Sequence, residues 1–363
     1  MSGEHARIAP SSLARTVQCP ASLTMQELYL EEEGPAAREG TAAHWAFSEP
    51  GEHCVGEIAP NGVVLDEEMI ESADLMRDTI AEWGAPFIER RVSIPTVHAE
   101  CWGTPDAYDI TLTRLKLADL KHGHGHVEVF ENWQLMAYAW GAMSAAGING
   151  LEEWALRVDL TIVQPRSYHR DGPVRTWSTT GADLRAYRNI AHTAAHEALG
   201  PNPRASVGPE CKHCTARHAC ATLQSASLDV VDVVGRAEPL DLPTAAAASE
   251  KRRIDRAIDL ARARSSGLES QLLSAARNGE SVPGYRIEHG QGREKWGKDS
   301  REVFALGDLL GIELRKPIEP VTPVQARKLG LDVPGFAARS VDEAKLVLDS
   351  GQRAAQIFGG IDK

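Results

Sequence analysis

The segment of residues 115–121 constrains the fold of this chain most, because its side chains alternate with the period of a β-strand. Successive strand side chains point to opposite faces, so Asp119 and Lys121 project from one face while Leu120 points into the core. The chain therefore contains a sheet that presents a carboxylate and an ammonium group side by side.

Periodicity around this strand predicts an α/β core of roughly 220 residues. Other strands are predicted over residues 88–94, 99–110 and 158–163. Helices are predicted over residues 66–84, 132–146 and 182–199. The first fifty residues also read as helical, with Ser11 and Ser12 able to cap one helix and Thr41 able to cap a second that carries His44.

A break at residues 235–243 predicts a linker between two parts of the chain. The predicted organisation is a domain of residues 1–225, a linker over 226–243 and a mainly helical C-terminal extension over 244–363. A long helix over residues 245–278 begins this extension, which is a possible DNA- or partner-binding element.

Charge and hydropathy limit the class of protein. The net charge of −12 over 363 residues argues against a general polyanion-binding surface, although a local basic groove can still supply phosphate contacts. The N-terminus shows no signal-peptide pattern, and no run of about 18 apolar residues occurs. We therefore expect a cytoplasmic protein with no membrane partner.

Three short stretches carry groups suited to phosphodiester hydrolysis. Asp106 follows Pro105 on a predicted strand, Asp119 and Lys121 share the next, and His44 lies on a helix that can lean over the sheet. Carboxylates hold hard cations such as Mg²⁺ or Mn²⁺, imidazole favours Mn²⁺, and the backbone carbonyl of Leu120 is a plausible further ligand. A lysine beside them can orient water and stabilise the charge that develops on phosphate.

Each of these stretches has an ordinary structural interpretation when it is taken alone. An Asp-x-Lys strand is usually a solvated face, and Gly-Thr-Pro-Asp is usually a turn. Their succession favours a site, because a helix follows on which Gln134 and Tyr138 share a face at i and i+4.

These motifs resemble a known family. The series GTAAH, GTPD, ADLK and QLMAYA, ending at His44, Asp106, Lys121 and Ala139, is similar to the RecB-type exonuclease branch of the PD-(D/E)XK superfamily, which includes the Cas4 nucleases. The likeness covers about residues 10–222 and is greatest to phage- and prophage-borne RecB-like proteins. Asp119 stands where the family more often has Glu.

The resemblance implies a fold, a function and roles for residues. The fold would be a restriction-endonuclease-like core, with a central mixed sheet flanked by helices. His44, Asp106 and Asp119 would bind metal, Lys121 would be the catalytic lysine, and Gln134 and Tyr138 would support them. The function would be metal-dependent hydrolysis of DNA, by exonuclease action on single strands or ends.

The resemblance also implies a biological setting, and two other functions stay open. The setting would be phage recombination, repair or replication in a bacterial cytoplasm, with a helicase partner or an oligomeric ring as possible assemblies. The first alternative is a catalytically weak nuclease fold kept for DNA or protein binding. The second is a zinc-based nucleic-acid adaptor.

Three cysteines crowd into Cys211-x2-Cys214-x5-Cys220, which indicates a metal or cluster site. With His218 they could form a Cys₃His zinc site. In the Cas4 and AddB nucleases that the chain resembles, an early cysteine joins three late ones on a structural [4Fe-4S] cluster, a role that falls here to Cys19. The cluster is favoured, and zinc or unligated thiols remain alternatives.

Two further stretches have competing interpretations. Residues 122–126, His-Gly-His-Gly-His, could bind a metal, but a glycine-rich loop whose histidines meet phosphate or solvent is favoured. The predicted helix after the linker is rich in Lys and Arg from Lys251 to Arg264, which indicates a solvated helix with ion pairs or a DNA-guiding arm. Trp296 could stack on an unpaired base.

Overall fold

The computed structural model describes residues 6–29, 34–49, 51, 53–234, 243–285 and 309, without the side chains of 229–234. Contacts divide the chain into two units, Met1–Gln291 and Gly292–Lys363, and the elements below belong to the first. Residues 235–242 of the predicted linker lie outside this description, and Trp296 lies outside it as well.

The first unit contains a mixed sheet of five strands. Within the described residues the strands are β1 (Phe87–Ile88), β2 (Val92–Ser93), β3 (Trp102–Gly103), β4 (Ala107–Ile110), β5 (Arg114–Leu120), β6 (Arg157–Val163) and β7 (Val174–Thr180). The five-stranded sheet has the order β1-β4-β5-β6-β7, in which β5 and β6 run parallel and the other neighbours are antiparallel. Strands β2 and β3 form a separate antiparallel ribbon.

Helices precede, interrupt and follow these strands. They are α1 (Leu13–Gln18), α2 (Ser22–Glu27), α3 (Pro35–Ser48), α4 (Glu67–Ile80), α5 (Trp133–Ala145), α6 (Gly150–Ala155), α7 (Gly181–Ala198), α8 (Ala221–Val234) and α9 (Thr244–Arg277). Polar side chains cap three of them, because Asp66, Asn132 and Thr180 accept hydrogen bonds from the first turns of α4, α5 and α7.

The alternation along β5 divides the apolar side chains between two cores. Leu115 and Leu117 are fully buried on the face that α5 and α7 cover, whereas Ala118 and Leu120 are fully buried on the face that α3 and α4 cover. The protein is therefore a mixed α/β fold in which helices cover both faces of the central sheet.

Most of the predicted elements are confirmed, with ends within a few residues: β5, β6, α4, α5, α7 and α9. The strand β7 was not predicted, although Val174, Thr176 and Ser178 alternate with the other residues of the segment and were the available signal. Part of α8 occupies residues assigned to the linker from sequence.

The two predicted strands before β5 are wrong as single elements. Glu89 has a φ of 45°, and its backbone N–H donates to the carbonyl of Asp106 at 3.0 Å. The chain therefore turns after β1, so that β1 pairs with β4 while β2 pairs with β3. Residues 104–106 likewise interrupt the second predicted strand between β3 and β4, so Asp106 immediately precedes β4.

The predicted cap at Thr41 is also wrong. Helix α3 begins at Pro35, a residue whose fixed φ suits the first turn, so Thr41 lies inside the helix. Its hydroxyl donates to the carbonyl of Ala37 at 3.1 Å. Ser12 does precede α1, but its hydroxyl donates to the carbonyl of Ala9 instead of capping the helix.

Across the described part of the chain, no helix combines the length and the apolar character that a membrane crossing requires.

Candidate active site

The end of β5 places Asp119 and Lys121 in contact. Nζ of Lys121 lies 2.7 Å from Oδ2 of Asp119, and the Asp119 side chain is almost completely buried. Both project towards the first turn of α5. There Oε1 of Gln134 accepts a hydrogen bond from Lys121 at 3.0 Å, and Nε2 of Gln134 donates to Asp119 at 3.2 Å and to the hydroxyl of Tyr138 at 3.3 Å. One amide thus orients both charged groups.

Asp106 reaches the same place from the position just before β4, the strand next to β5. Its Oδ2 accepts a hydrogen bond of 2.6 Å from the backbone N–H of Leu120, and its Oδ1 lies 3.2 Å from Nδ1 of His44 on α3. Asp106 is 6% exposed. The structure therefore brings His44, Asp106, Asp119 and Lys121 together as the sequence predicts, while the ligand role of the Leu120 carbonyl stays a prediction.

Glu89 is a member of the site that the sequence did not reveal. One candidate ligand atom each from His44, Glu89 and Asp106 lie within 4.8 Å of one another. The left-handed backbone at Glu89 is costly for a residue with a side chain, and it redirects the chain at the edge of the sheet. The local signal for this turn was an acidic residue inside the strand predicted over residues 88–94.

The electrostatics of the site favour an added cation. Burial works to lower the pKa of His44, but the Asp106 carboxylate outweighs it and raises that pKa to about 9. Burial likewise opposes the charge of Lys121, but Asp119 and Asp106 raise its pKa. Burial and then repulsion from Asp106 raise the pKa of Glu89 to about 7. Clustered carboxylates contribute to all three shifts, and a divalent ion would offset that contribution.

The four cysteines predicted to act together line one small cavity. Backbone N–H groups of Ser206, Gly208 and Leu223 donate to the sulfurs of Cys19, Cys211 and Cys220, each at 3.4 Å. Ala216 supplies the corresponding N–H to Cys214. The structure therefore joins the end of α1 to the segment that follows α7, across almost the whole domain predicted from sequence.

The spacing of these thiols is wider than zinc requires. Among the His, Cys, Asp and Glu side chains of the described residues, one group of three has ligand atoms that all lie within 4.8 Å of one another, and it consists of His44, Glu89 and Asp106. No three of the cysteine sulfurs in the described residues therefore lie that close together. Sulfurs around a tetrahedral zinc ion are about 3.8 Å apart. His218, the fourth ligand of the zinc alternative, instead has Nδ1 3.1 Å from the carbonyl of Thr215 and its ring against Tyr29.

A family comparison covers both of these sites. The family described as "Protein of unknown function (DUF2800)" has a model that matches residues 5–313. The chain belongs to the DUF2800 family. The DUF2800 match includes the acidic site, the four cysteines and all of α9, so these features lie within one family region.

In this DUF2800 protein the three histidines of residues 122–126 bind arginines. Nε2 of His122 and of His124 lie 2.8 and 2.7 Å from the guanidinium of Arg166, and Nδ1 of His126 lies 2.9 Å from Nη1 of Arg175. A nitrogen that accepts from guanidinium is not available to a metal. Their ligand atoms also fall outside the metal-like group found among the described residues.

The basic helix of the DUF2800 region packs in part against the cysteine segment. Arg264 donates to the carbonyls of Arg217 and His218, and Arg256 donates to the carbonyl of Val207. Lys251 pairs with Asp255 one turn along the helix, at 2.9 Å. These contacts account for part of its charge, and the DNA-guiding role stays a hypothesis.

Proposed function

We propose that this protein is a metal-dependent nuclease of the PD-(D/E)XK kind that hydrolyses DNA. The observation that carries the proposal is the contact between Lys121 and Asp119, held by Gln134 next to the group of His44, Glu89 and Asp106. A lysine whose side chain is only 25% exposed is destabilising unless it is paired, so a fold that positions one beside metal-type ligands supports a chemical role.

The donor set fits a hard divalent cation. Carboxylate oxygens of Glu89 and Asp106 with one imidazole nitrogen of His44 suit Mn²⁺ and Mg²⁺, and the imidazole favours Mn²⁺. Asp119, which interacts with Asp106 and His44, is the further ligand of this proposal. When bound, such an ion supplies a Lewis acid that makes water more acidic and offsets charge on the phosphate. Helix α3 supplies the imidazole, and the carboxylates come from the turn after β1, from the residue before β4 and from β5.

The protein's own groups position the reactants. The Lys121 ammonium remains protonated because of its raised pKa, so it can donate hydrogen bonds to the attacking water or to a phosphate oxygen. Gln134 forms hydrogen bonds with both Lys121 and Asp119 and so restricts the rotation of both side chains. Tyr138 acts through Gln134, since its hydroxyl meets the Gln134 amide. Tyr138 and Gln134 are therefore positioning residues.

The cysteine cavity supports a structural [4Fe-4S] cluster as part of the same proposal. Four thiols face one cavity, and each receives a backbone N–H, an arrangement that stabilises the thiolates on which a cluster depends. The wide spacing of the sulfurs favours a cluster over a single zinc ion. Because the cavity includes Cys19 from the N-terminal helices, the cluster would tie the two ends of the nuclease core together.

The test is digestion of end-labelled single- and double-stranded DNA with Mn²⁺ or Mg²⁺. We expect Lys121→Ala to slow cleavage by at least about 100-fold, because the loss of one preorganised donor to a developing charge costs that much. Arg185→Gln is the control that also removes one positive charge, since this exposed arginine lies on α7 against Trp154 and should cut at the parent rate.

The products distinguish the finer parts of the proposal. Release of nucleotides from labelled ends supports exonuclease action and reveals the polarity. If the parent protein cuts no substrate with either metal, or if Lys121→Ala cuts as fast as the parent, the catalytic proposal fails. A DNA- or partner-binding role would then replace it.

A further inference from the structure

A second polar cavity lies on the sheet, away from the acidic site. It has a volume of about 510 Å³, within the usual range for ligand pockets, and β5, β6, β7 and the end of α4 form its walls. Arg114 and Lys116 line it from the face of β5 opposite to Asp119 and Lys121. Lys116 and Lys121 are five positions apart, or about 16 Å along a strand.

One buried carboxylate organises the cations of this cavity. The parallel register places Arg114 beside Arg157 and Lys116 beside Asp159. Asp159 accepts hydrogen bonds from Nε of Arg114 at 2.7 Å, from Nε of Arg157 at 3.4 Å and from the hydroxyl of Ser178 at 2.5 Å. Burial alone would raise the pKa of Asp159, but these donors outweigh it and hold the pKa below its ordinary value. Asp159 therefore remains charged and holds both guanidinium groups by one nitrogen.

The outer nitrogens of these two arginines are available. Within the described residues, the Nη atoms of Arg114 and Arg157 donate to no protein group, because the contacts of both side chains run through Nε. Asp159 orients the two guanidinium groups through their Nε atoms, and their Nη atoms remain able to donate. Such paired N–H donors suit the paired oxygens of a phosphate. Three cations, with Lys116, outnumber the carboxylates of Asp159 and Glu82 in the cavity lining.

Lys116 and Trp83 complete the chemistry of the cavity. Nζ of Lys116 has no carboxylate partner among the described residues and lies 5.8 Å from the centre of the Trp83 ring. Trp83 is partly buried against the core beneath α4, so its ring is held at the cavity wall. An aromatic ring beside phosphate-binding cations is suited to stacking a nucleobase.

We infer that this sheet cavity is a second binding site, which takes the phosphate of a nucleotide, free or within a DNA strand, and stacks its base on Trp83. Arg114, Arg157 and Lys116 bind the phosphate oxygens, and the hydroxyls of Thr161 and Thr176 line the floor between them. The site requires no cleavage chemistry, so it stands or falls independently of the proposed nuclease activity.

The experiment measures binding in the full-length Lys121→Ala protein without added divalent metal, so that no probe is cut. A fluorescein-labelled oligothymidylate is the probe, followed by anisotropy, and dTMP, inorganic phosphate and thymidine are the competitors. We expect dTMP and phosphate to compete and thymidine to compete far more weakly. Added Lys116→Ala or Arg157→Gln should weaken binding about tenfold each, because each removes a charge-assisted contact.

Trp83→Leu separates stacking from phosphate binding. It should weaken the binding of the oligothymidylate and of dTMP but leave the competition by inorganic phosphate unchanged. The matched control is Arg185→Gln, whose side chain lies on α7 and not in the cavity lining. Because Lys116 forms no ion pair in the described structure, Lys116→Ala should leave the melting temperature unchanged. A loss of binding in this variant would therefore come from the cavity and not from unfolding.

The two sources of phosphate give different affinities. If dTMP binds as tightly as the oligothymidylate, the site takes a free nucleotide; if the oligothymidylate binds much more tightly, the site holds a strand. If Lys116→Ala and Arg157→Gln bind every probe like their parent, or if thymidine competes as well as dTMP, the inference is overturned. Neither of these results affects the digestion test.

Discussion

At the scale of single residues, the site depends on groups whose charges oppose one another at short range. His44 and Lys121 hold protons tightly because Asp106 and Asp119 lie beside them, and Glu89 adds a third carboxylate from the turn after β1. A bound metal ion would replace the positive charge that these protons supply beside the carboxylates. Ion binding and proton binding should therefore compete at the same atoms.

Glu89→Gln should weaken the binding of Mn²⁺ by at least about tenfold, because it replaces a carboxylate of the ligand group by a neutral amide. Isothermal titration with Mn²⁺ measures the change. Glu100→Gln is the control, since this glutamate lies at the surface near Arg7. Equal affinities for the two variants would remove Glu89 from the ligand set.

Mn²⁺ affinity should rise with pH up to about 9, because the proton on His44 must leave before its nitrogen can bind a metal. The folded pKa lies above the ordinary value of 6.5, so in the metal-free protein the stabilising contribution of charged His44 is complete below 6.5 and is lost as the pH rises through about 9. Titrations at several pH values test the first effect, and melting curves without metal test the second. His44→Gln should flatten both profiles above pH 7.

At the scale of elements, α9 and the cysteine segment support each other. Leu223, Leu260 and Ala263 form a small core between α8 and α9, and Gly267 lies where α9 crosses the turn of Arg217. A Cβ at Gly267 would lie 2.5 Å from Cγ of Arg217 and 2.8 Å from the backbone nitrogen of His218. Glycine is therefore required there for close approach.

Gly267→Ala should destabilise the protein by about 1–3 kcal/mol through this overpacking. The direction is informative, because alanine favours a helix by about 1 kcal/mol relative to glycine when nothing crowds it. Ser265→Ala, at an exposed position of the same helix, is the control and should be neutral or slightly stabilising. Chemical denaturation followed by circular dichroism measures both, and a more stable Gly267→Ala would show that α9 does not pack so closely.

Cys19→Ala should abolish the visible absorbance of a purified brown protein and lower its melting temperature. In the proposed cluster Cys19 would be the ligand that joins α1 to the late cysteines, so its loss would remove both a cluster ligand and a long-range link. Cys54→Ser is the control, since that thiol is exposed and lies outside the cavity. A colourless parent protein that contains zinc would instead support the zinc alternative.

At the scale of the whole molecule, the compact unit extends beyond the domain predicted from sequence. Contacts group Met1–Gln291 together, and α9 packs against the turns at Pro209–His213 and Thr215–His218. The division at residues 225 and 243 remains a prediction about independent folding. The structure shows which apolar surface each choice of boundary would expose.

A chain truncated after residue 225 should melt at a lower temperature than one truncated after residue 291. The shorter chain loses Leu260 and Ala263 and so exposes Leu223 beside the cysteine cavity. Scanning calorimetry of both chains compares them directly. Equal melting temperatures would show that residues 1–225 fold as an independent domain.

The local geometry of the site could be predicted from the sequence alone. Alternation along residues 115–121 placed Asp119 and Lys121 on one face, and helical spacing placed Gln134 and Tyr138 one turn apart, because strand and helix periods act between near neighbours. The pairing of Asp106 with this strand followed from the order of the elements. The meeting of Cys19 with Cys211 came from family resemblance and not from periodicity.

Only the tertiary structure decided which distant residues meet. The turn at Glu89 brings a carboxylate to His44, and its cause is a hydrogen bond to Asp106 that no local pattern encodes. The register of β5 against β6 sets Arg114 beside Arg157, although 43 positions separate them along the chain. Periodicity assigns each side chain to a face of its own element, whereas pairing between elements depends on how the whole chain packs.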